Sequence, residues 1–233
     1  MRDSKIVKII GGLVTLVGVL ASAVEIHGWW ADRELTPAIA AKIESATRDA
    51  YQLHPDPSPV RDRAVFDAVA AVAAREKVSA EDAIELAREL SRRLDLADES
   101  LERGLVMAHD HHFEQARREF LSASSTDPKS AAAWSNLAAV NSMLGRNDEA
   151  RDAYNQALTL TPDDWRVRYN LGLLFARTGD PEEGLKHVSR ALAYVRSAGD
   201  KRQELDDMLH DLRTDPSLEP LRQTTSFAAL VGR

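Results

Sequence analysis

The sequence predicts an all-α protein, with an N-terminal transmembrane helix followed by an α-solenoid of helical hairpins and a C-terminal capping helix. Two observations predict this architecture. One is an uncharged apolar run near the N-terminus, and the other is a set of large and small residues that recurs at a constant spacing between positions 97 and 198. The composition agrees, because hydrophobic residues make up 44% of the chain and aromatic residues only 6%, as is typical of closely packed helices.

The clearest repeating unit is Ala131–Asp164, with the sequence AAAWSNLAAVNSMLGRNDEARDAYNQALTLTPDD. The residues that form its pattern are Trp134, Leu137, Ala138, Gly145, Ala150, Tyr154, Ala157 and Pro162. Their spacing describes two short antiparallel helices that touch through small residues and end at a proline. The unit resembles a tetratricopeptide repeat (TPR), which is a helix–turn–helix of about 34 residues.

The stretches on either side keep the same register and give three predicted repeats, at residues 97–130, 131–164 and 165–198. The matching residues are Gly104, Met107, Phe113, Ala116, Phe120, Ala123 and Pro128 in the first, and Leu171, Gly172, Phe175, Gly179 and Ala191 in the third. Repetition in register is a stronger indication than any single motif, since stacked repeats bury a continuous core.

The third repeat departs from the TPR pattern in its second helix. Gly184 stands where alanine is usual, and Val188 stands where an aromatic residue is usual. Arg196 replaces the closing proline, which predicts that this helix runs on beyond the repeat.

A membrane anchor is predicted within residues 1–30. The run Ile9–Val24 contains no charged residue, and Arg2, Lys5 and Lys8 precede it. A spanning helix needs about 17–25 residues, so neighbouring apolar residues must extend this run. Because positive charge stays inside, the N-terminus is expected to be cytoplasmic and the C-terminal domain extracytoplasmic.

Two other interpretations of this segment stay open. The basic start, the short apolar centre and the sequence Ala21-Ser22-Ala23 fit a signal peptide cleaved after Ala23. The third interpretation is a buried hydrophobic helix of a soluble protein. Within an anchor, small residues lie on one helical face and predict close helix packing, hence self-association or docking on a membrane partner. These are Gly11, Thr15, Gly18 and Ser22.

Residues 31–60 are predicted to form a connecting helix and a proline-rich elbow. The helix begins at Thr36-Pro37 and reaches about Leu53. The three prolines of His54–Pro59 restrict the next segment to an extended form, which is expected to separate this helix from the main domain.

Residues 61–96 are predicted to form a helical hairpin, either a degenerate repeat or a simple pair of helices. Its second helix starts at Ser79 and ends near Leu94. Residues 199–233 are predicted to form a capping helix and a tail of one or two short helices that folds back on the last repeat.

The resemblance to TPR proteins implies a concave groove lined by the first helix of each repeat. The implied partner-binding residues are Ser135, Asn136, Met143, Arg166, Tyr169, Asn170 and Arg177. Asparagine can hold a peptide backbone through both donor and acceptor, and arginine can pair with a carboxylate. The alternative is that the chain's own N-terminal helix or C-terminal tail fills this groove.

The first repeat weakens one specific expectation. Some relatives clamp the C-terminal carboxylate of a chaperone with a lysine and an asparagine, and Leu101 and Leu105 stand at those positions here. We therefore do not expect chaperone-tail binding.

Other chemistry is not expected. The net charge of −7 argues against a nucleic-acid binder, and the absence of cysteine excludes a thiolate nucleophile. The histidines of His109–His112 fall at a turn of the first repeat, so we expect no metal. The sequence has no phosphate loop, nucleophile elbow or acid–base pair, and we expect neither an enzyme nor a cofactor.

The predicted function is a bacterial adaptor or scaffold, anchored in the inner membrane by a single span, that binds a protein or peptide through its groove. One alternative is a periplasmic or secreted TPR protein, released by signal cleavage, that assists envelope complex assembly. A second alternative is a membrane effector whose glycine-faced helix forms homo-oligomers, with the repeats as its sensor.

Overall fold

The computed structural model describes residues 36–53 and 59–232, and every regular element in those ranges is helical. The predicted anchor, with its packing residues Gly11, Thr15, Gly18 and Ser22, lies outside the described residues. Within the described ranges, no helix is long and apolar enough to cross a membrane.

The helices succeed one another along the chain with short connections. They are α1 (Pro37–Leu53), α2 (Pro59–Glu76), α3 (Ala80–His109), α4 (Phe113–Thr126), α5 (Ala131–Met143), α6 (Asn147–Leu160), α7 (Trp165–Arg177), α8 (Pro181–Ser197), α9 (Arg202–Thr214), a 3₁₀ turn (Pro216–Leu218), α10 (Glu219–Arg222) and α11 (Phe227–Val231). The described residues divide into two compact units: unit one contains those up to Asp98 together with Ser125–Asp127, and unit two contains the others.

In unit one, α1, α2 and the first part of α3 share one hydrophobic core. Ile43 of α1 and Val69 of α2 are fully buried, and Ala83 of α3 packs in the same cluster. The apolar stripe of α1 recurs every three or four residues, so one face of the helix is buried. This differs from the expectation that the proline-rich segment separates α1 from the main domain, because α1 is itself part of a core.

Polar contacts reinforce this unit. The guanidinium of Arg48 donates two hydrogen bonds to the carboxylate of Asp127, at 2.8 and 2.7 Å. The hydroxyl of Tyr51 donates to the carbonyl of Ser91 at 2.8 Å, and the guanidinium of Arg61 lies 4.3 Å from the centre of the Tyr51 ring. A bidentate arginine–carboxylate pair is geometrically specific, so it fixes the position of α1 within the unit.

Helix α3 is one continuous helix of 30 residues. Its start is as predicted, since the N–H of Asp82 donates to the hydroxyl of Ser79 at 3.4 Å. The predicted end near Leu94 is wrong. The residues immediately after Leu94, Asp-Leu-Ala-Asp, include neither glycine nor proline, so nothing there interrupts the backbone hydrogen bonds.

Unit two consists of helical hairpins, and the same hydrogen bonds recur from one repeat to the next. Ser130 caps α5 and Asp164 caps α7, each by accepting a backbone N–H from the first turn. The indole N–H of Trp134 donates to the carbonyl of Pro128 at 2.9 Å. In the next repeat the guanidinium of Arg168 donates to the carbonyl of Pro162, so an arginine takes over the contact made by the tryptophan.

The described C-terminal residues are helical as well. Helix α8 has 17 residues, whereas the second helices of the first two repeats have 14, as expected from Arg196 in place of proline. Helix α9 comes next, and the short elements after it fold back on the third repeat. Leu212 of α9 and Phe227 of α11 share a core with Val188 of α8.

Candidate partner-binding surface

The predicted groove residues lie on α5 and α7, which contact each other in unit two. On α5, Met143 is 63% exposed, and Ser135 and Asn136 are half-buried. The Ser135 hydroxyl and the Asn136 amide both donate to the carbonyl of Ala132, at 3.0 and 2.9 Å. One N–H of the Asn136 amide is therefore engaged by its own helix, and the second N–H and the amide oxygen are the groups that it can offer to a peptide.

On α7, Arg166 and Asn170 are both exposed. The guanidinium of Arg166 lies 4.5 Å from the centre of the Trp165 ring. Stacking on an aromatic face limits the freedom of the arginine without using its hydrogen-bond donors. Arg166 can therefore meet a carboxylate with little loss of side-chain entropy.

Tyr169 does not line an open groove, and this part of the prediction is corrected. Arg177 is exposed, but it contacts C-terminal residues of the same chain. Tyr169 is only 7% exposed, and its hydroxyl donates to the carbonyl of Met208 in α9 at 3.4 Å. The Arg177 guanidinium lies 3.2 Å from the Ser217 hydroxyl and 3.8 Å from the Asp215 carboxylate. The C-terminal part of the chain thus buries Tyr169 and contacts Arg177, which agrees in part with the alternative that the sequence left open.

The physical reason lies in the apolar side of α9. Met208 and Leu212 are buried against the third repeat, and Leu173 of α7 packs in the same cluster as Tyr169. Burial of these side chains removes apolar surface that the last repeat of a stack exposes to water when no further repeat comes after it. When α9 buries this apolar surface, it also buries Tyr169, which the sequence had predicted to line the groove.

Burial and charge change the titration of the covered groups. Burial raises the pKa of Tyr169, so its phenol stays protonated and keeps donating. The pKa of Asp215 is lowered because Ser217 donates hydrogen bonds to it from its hydroxyl and its backbone N–H, and because Arg177 and Arg222 lie nearby. The contact of Arg177 with Asp215 is therefore an ion pair at neutral pH.

The first repeat adds apolar surface that sequence reasoning only partly identified. Leu105 is 46% exposed and Val106 is 58% exposed on α3. The sequence marks Leu105 as a groove position, whereas Val106 was not identified from it. The signal that could have identified Val106 is that it is an apolar residue outside the buried stripe of an otherwise charged helix.

The histidine cluster lies where the sequence placed it, at the turn after α3. His109, His111 and His112 are exposed, and the ring of His111 packs edge-on against Phe113 with 5.7 Å between ring centres. Across residues 36–53 and 59–232, no group of three or more histidine, cysteine or acidic side chains is placed to hold a metal ion.

Comparison with known families assigns one stretch of the chain. Residues 143–179 match the family model described as "TPR repeat". This stretch runs from the last residue of α5 through α6 and α7 to the turn before α8. This stretch of the chain is therefore similar to a TPR repeat, and the described part of the chain is all-α.

Curated proteins with similar sequence match less than half of the chain. Superkiller protein 3 of Schizosaccharomyces pombe is 36% identical over 94 residues, which cover 40% of this chain and 7% of that protein. The peroxisomal targeting signal receptor of Candida albicans is 33% identical over 103 residues, which cover 44% of this chain and 17% of that protein. The chain thus matches only a small fraction of the length of either relative.

Among solved structures, the CopN-Scc3 complex contains a similar chain. It is 18% identical with a TM-score of 0.46, and the match covers 61% of this chain and 75% of that one.

Proposed function

We propose that this chain is an adaptor that binds a protein partner through α5 and the exposed part of α7. The observation that carries the proposal is that these neighbouring helices present apolar, amide and cationic groups to solvent. Met143 is 63% exposed, and Arg166 and Asn170 are exposed as well. The partner surface is smaller than the sequence suggested, because Tyr169 is buried and Arg177 contacts C-terminal residues of the same chain.

The chemistry of this surface suits a peptide segment with apolar and acidic side chains. Methionine adapts its shape to varied apolar side chains, and Asn136 and Asn170 can bind a peptide backbone. Arg166 can pair with a carboxylate in a bidentate manner. The match to a protein named as a targeting signal receptor supports recognition of a segment of another protein.

The membrane part of the proposal rests on the sequence. The uncharged run Ile9–Val24, preceded by Arg2, Lys5 and Lys8, supports a single-span anchor with the repeats on the extracytoplasmic side. A cleaved signal and an oligomerising membrane effector are the competing functions. A polar substitution at Gly18 abolishes activity only if helix packing in the membrane is the mechanism.

The binding surface is tested by affinity capture of partners on the full chain from cells of its source. Met143→Glu and Asn170→Ala are expected to lower capture of a specific partner by about tenfold or more, because interface energy concentrates in a few residues. Gln156→Ala, at an exposed position on α6, is the matched control. Equal capture by all variants would contradict the proposed surface.

The anchor is tested by mass and membrane fractionation of the expressed chain. A full-length product that resists carbonate and high-salt extraction supports the anchor. A soluble product that begins at Val24 instead supports a cleaved signal and leaves the repeats as the functional surface.

A further inference from the structure

We propose that the segment Asp215–Leu221 is an intramolecular ligand of the third repeat, which a partner peptide of similar chemistry displaces. This inference rests on the proposed function, since the displacing partner is one that already binds α5 and α7. The segment reads DPSLEPL. A displacing peptide would carry an acidic residue and, three and six positions later, leucine-like residues.

The polar end of the segment is held by Arg177. The guanidinium of Arg177 contacts the Ser217 hydroxyl at 3.2 Å and the Asp215 carboxylate at 3.8 Å. The side chains of Arg177 and Asp215 are 41% and 35% exposed. Because solvent screens an ion pair at such a position, the contact orients the segment but stabilises its docked position only a little.

The apolar end of the segment packs where the other repeats have a buried aromatic ring. Leu218 and Leu221 are fully buried in a cluster that includes Val188. Val188 occupies the position held by Phe120 and Tyr154 in the first two repeats, and both of those rings are buried. The third repeat lacks the aromatic ring at this position, and leucines from a later segment pack there instead.

A glycine enlarges the same space. A Cβ atom on Gly184 would lie 3.3 Å from Cδ1 of Leu221. The two departures of the third repeat from the TPR pattern, at 184 and 188, thus lie where the leucines of the segment pack. The third repeat therefore has a packing site for leucine side chains, and Leu218 and Leu221 of the segment occupy it.

The segment and the residues that follow it, up to Val231, depend on docking for their order. The 3₁₀ turn, α10 and α11 have three, four and five residues, and helices this short are not stable alone in water. Arg196 and Arg213 donate to the carbonyls of Leu230 and Val231, both at 2.8 Å. Residues 215–231 are therefore suited to open as a unit while the hairpins stay folded.

The docked segment also lies next to the proposed partner surface. Arg166, Asn170 and Arg177 succeed one another at helical spacings of four and seven residues, so they share one face of α7. The first two are exposed, and the third contacts the segment. A partner that extends along this face beyond Asn170 meets the segment and must replace it.

The test uses the full chain and a fluorescent synthetic peptide of residues 212–224. In the full chain, the double substitution Leu218→Ala with Leu221→Ala should release the segment, so that the labelled peptide binds at least tenfold more tightly than to the unchanged chain. Adding Arg177→Ala should weaken that binding several-fold, whereas adding Arg151→Ala, a partly exposed arginine paired with Asp148, should not. Equal binding to the unchanged and released chains would overturn the proposal.

A second measurement keeps the proposal testable if the released chain unfolds. Amide hydrogen exchange of the unchanged chain should show residues 217–231 exchanging well before α7 and α8, and Arg177→Ala should speed exchange in residues 217–231 alone. Exchange as slow as that of α7 and α8 would show a permanent core segment and overturn the proposal. Neither measurement needs the natural partner, so failure of partner capture leaves this result unaffected.

Discussion

At the residue scale, each repeat places a residue with positive φ at the same point of its inter-helix turn. His111, Gly145 and Gly179 have φ values of 60, 72 and 96°. In each turn, the residue that follows the one with positive φ donates its backbone N–H to the carbonyl of the residue five positions before the donor, as in a Schellman motif. The period of the repeats thus extends to the backbone conformation, and among these three turns only that of the first repeat uses a residue other than glycine.

This comparison predicts that His111→Gly stabilises the chain. A non-glycine residue in the left-handed region costs about 1 kcal/mol, so the expected gain in the free energy of unfolding is up to about that amount, less the contact of the His111 ring with Phe113. Urea unfolding measures it. His112→Gly, one residue further on, is the control and should lower stability slightly, and an equal gain from both substitutions would contradict the explanation.

At the scale of the elements, glycine brings α7 and α8 into close contact. A Cβ atom on Gly184 would lie 2.7 Å from the carbonyl oxygen of Gly172, and one on Gly172 would lie 2.9 Å from that of Gly184. Backbone faces backbone here, so a methyl group has no flexible neighbour to displace. The glycine at 184, which departs from the TPR pattern, is therefore explained by the spacing of the two helices.

Gly184→Ala is accordingly predicted to destabilise the chain even though alanine is usual at this repeat position. Overpacking of a tight contact typically costs about 1–3 kcal/mol, and the loss should appear in the urea midpoint. Ser189→Ala, at an exposed position of the same helix, should change it little. A neutral or stabilising Gly184→Ala would show that the helices separate easily and would contradict the close contact as the cause.

Sequence patterns predicted the elements to different degrees. The repeats were predictable because large and small residues, turn residues and prolines recur at one spacing. The continuity of α3 past Leu94 was not, since the repeat pattern says where a unit starts and not whether the preceding helix stops. The packing of C-terminal residues on Tyr169 and their contact with Arg177 were only an alternative, because packing between distant segments leaves no periodic signal.

At the scale of the whole molecule, the described residues form a unit of helical hairpins that resemble TPR repeats and a second helical unit. The proposed adaptor function needs a surface that the chain itself does not occupy, and α5 with the first half of α7 provides it. The same unit covers its third repeat with its own C-terminal segment. The proposed partner surface and the contact with the C-terminal segment therefore adjoin on α7, between Asn170 and Arg177.

The proposed partner surface is most directly tested by site-specific photo-crosslinking of the full chain in cells of its source. A photoreactive residue at Met143 or Asn170 is predicted to give a discrete adduct with one partner, whereas the same residue at Gln156 should not. Absence of adducts at 143 and 170, or the same adducts at all three positions, would contradict a partner-binding surface on α5 and α7.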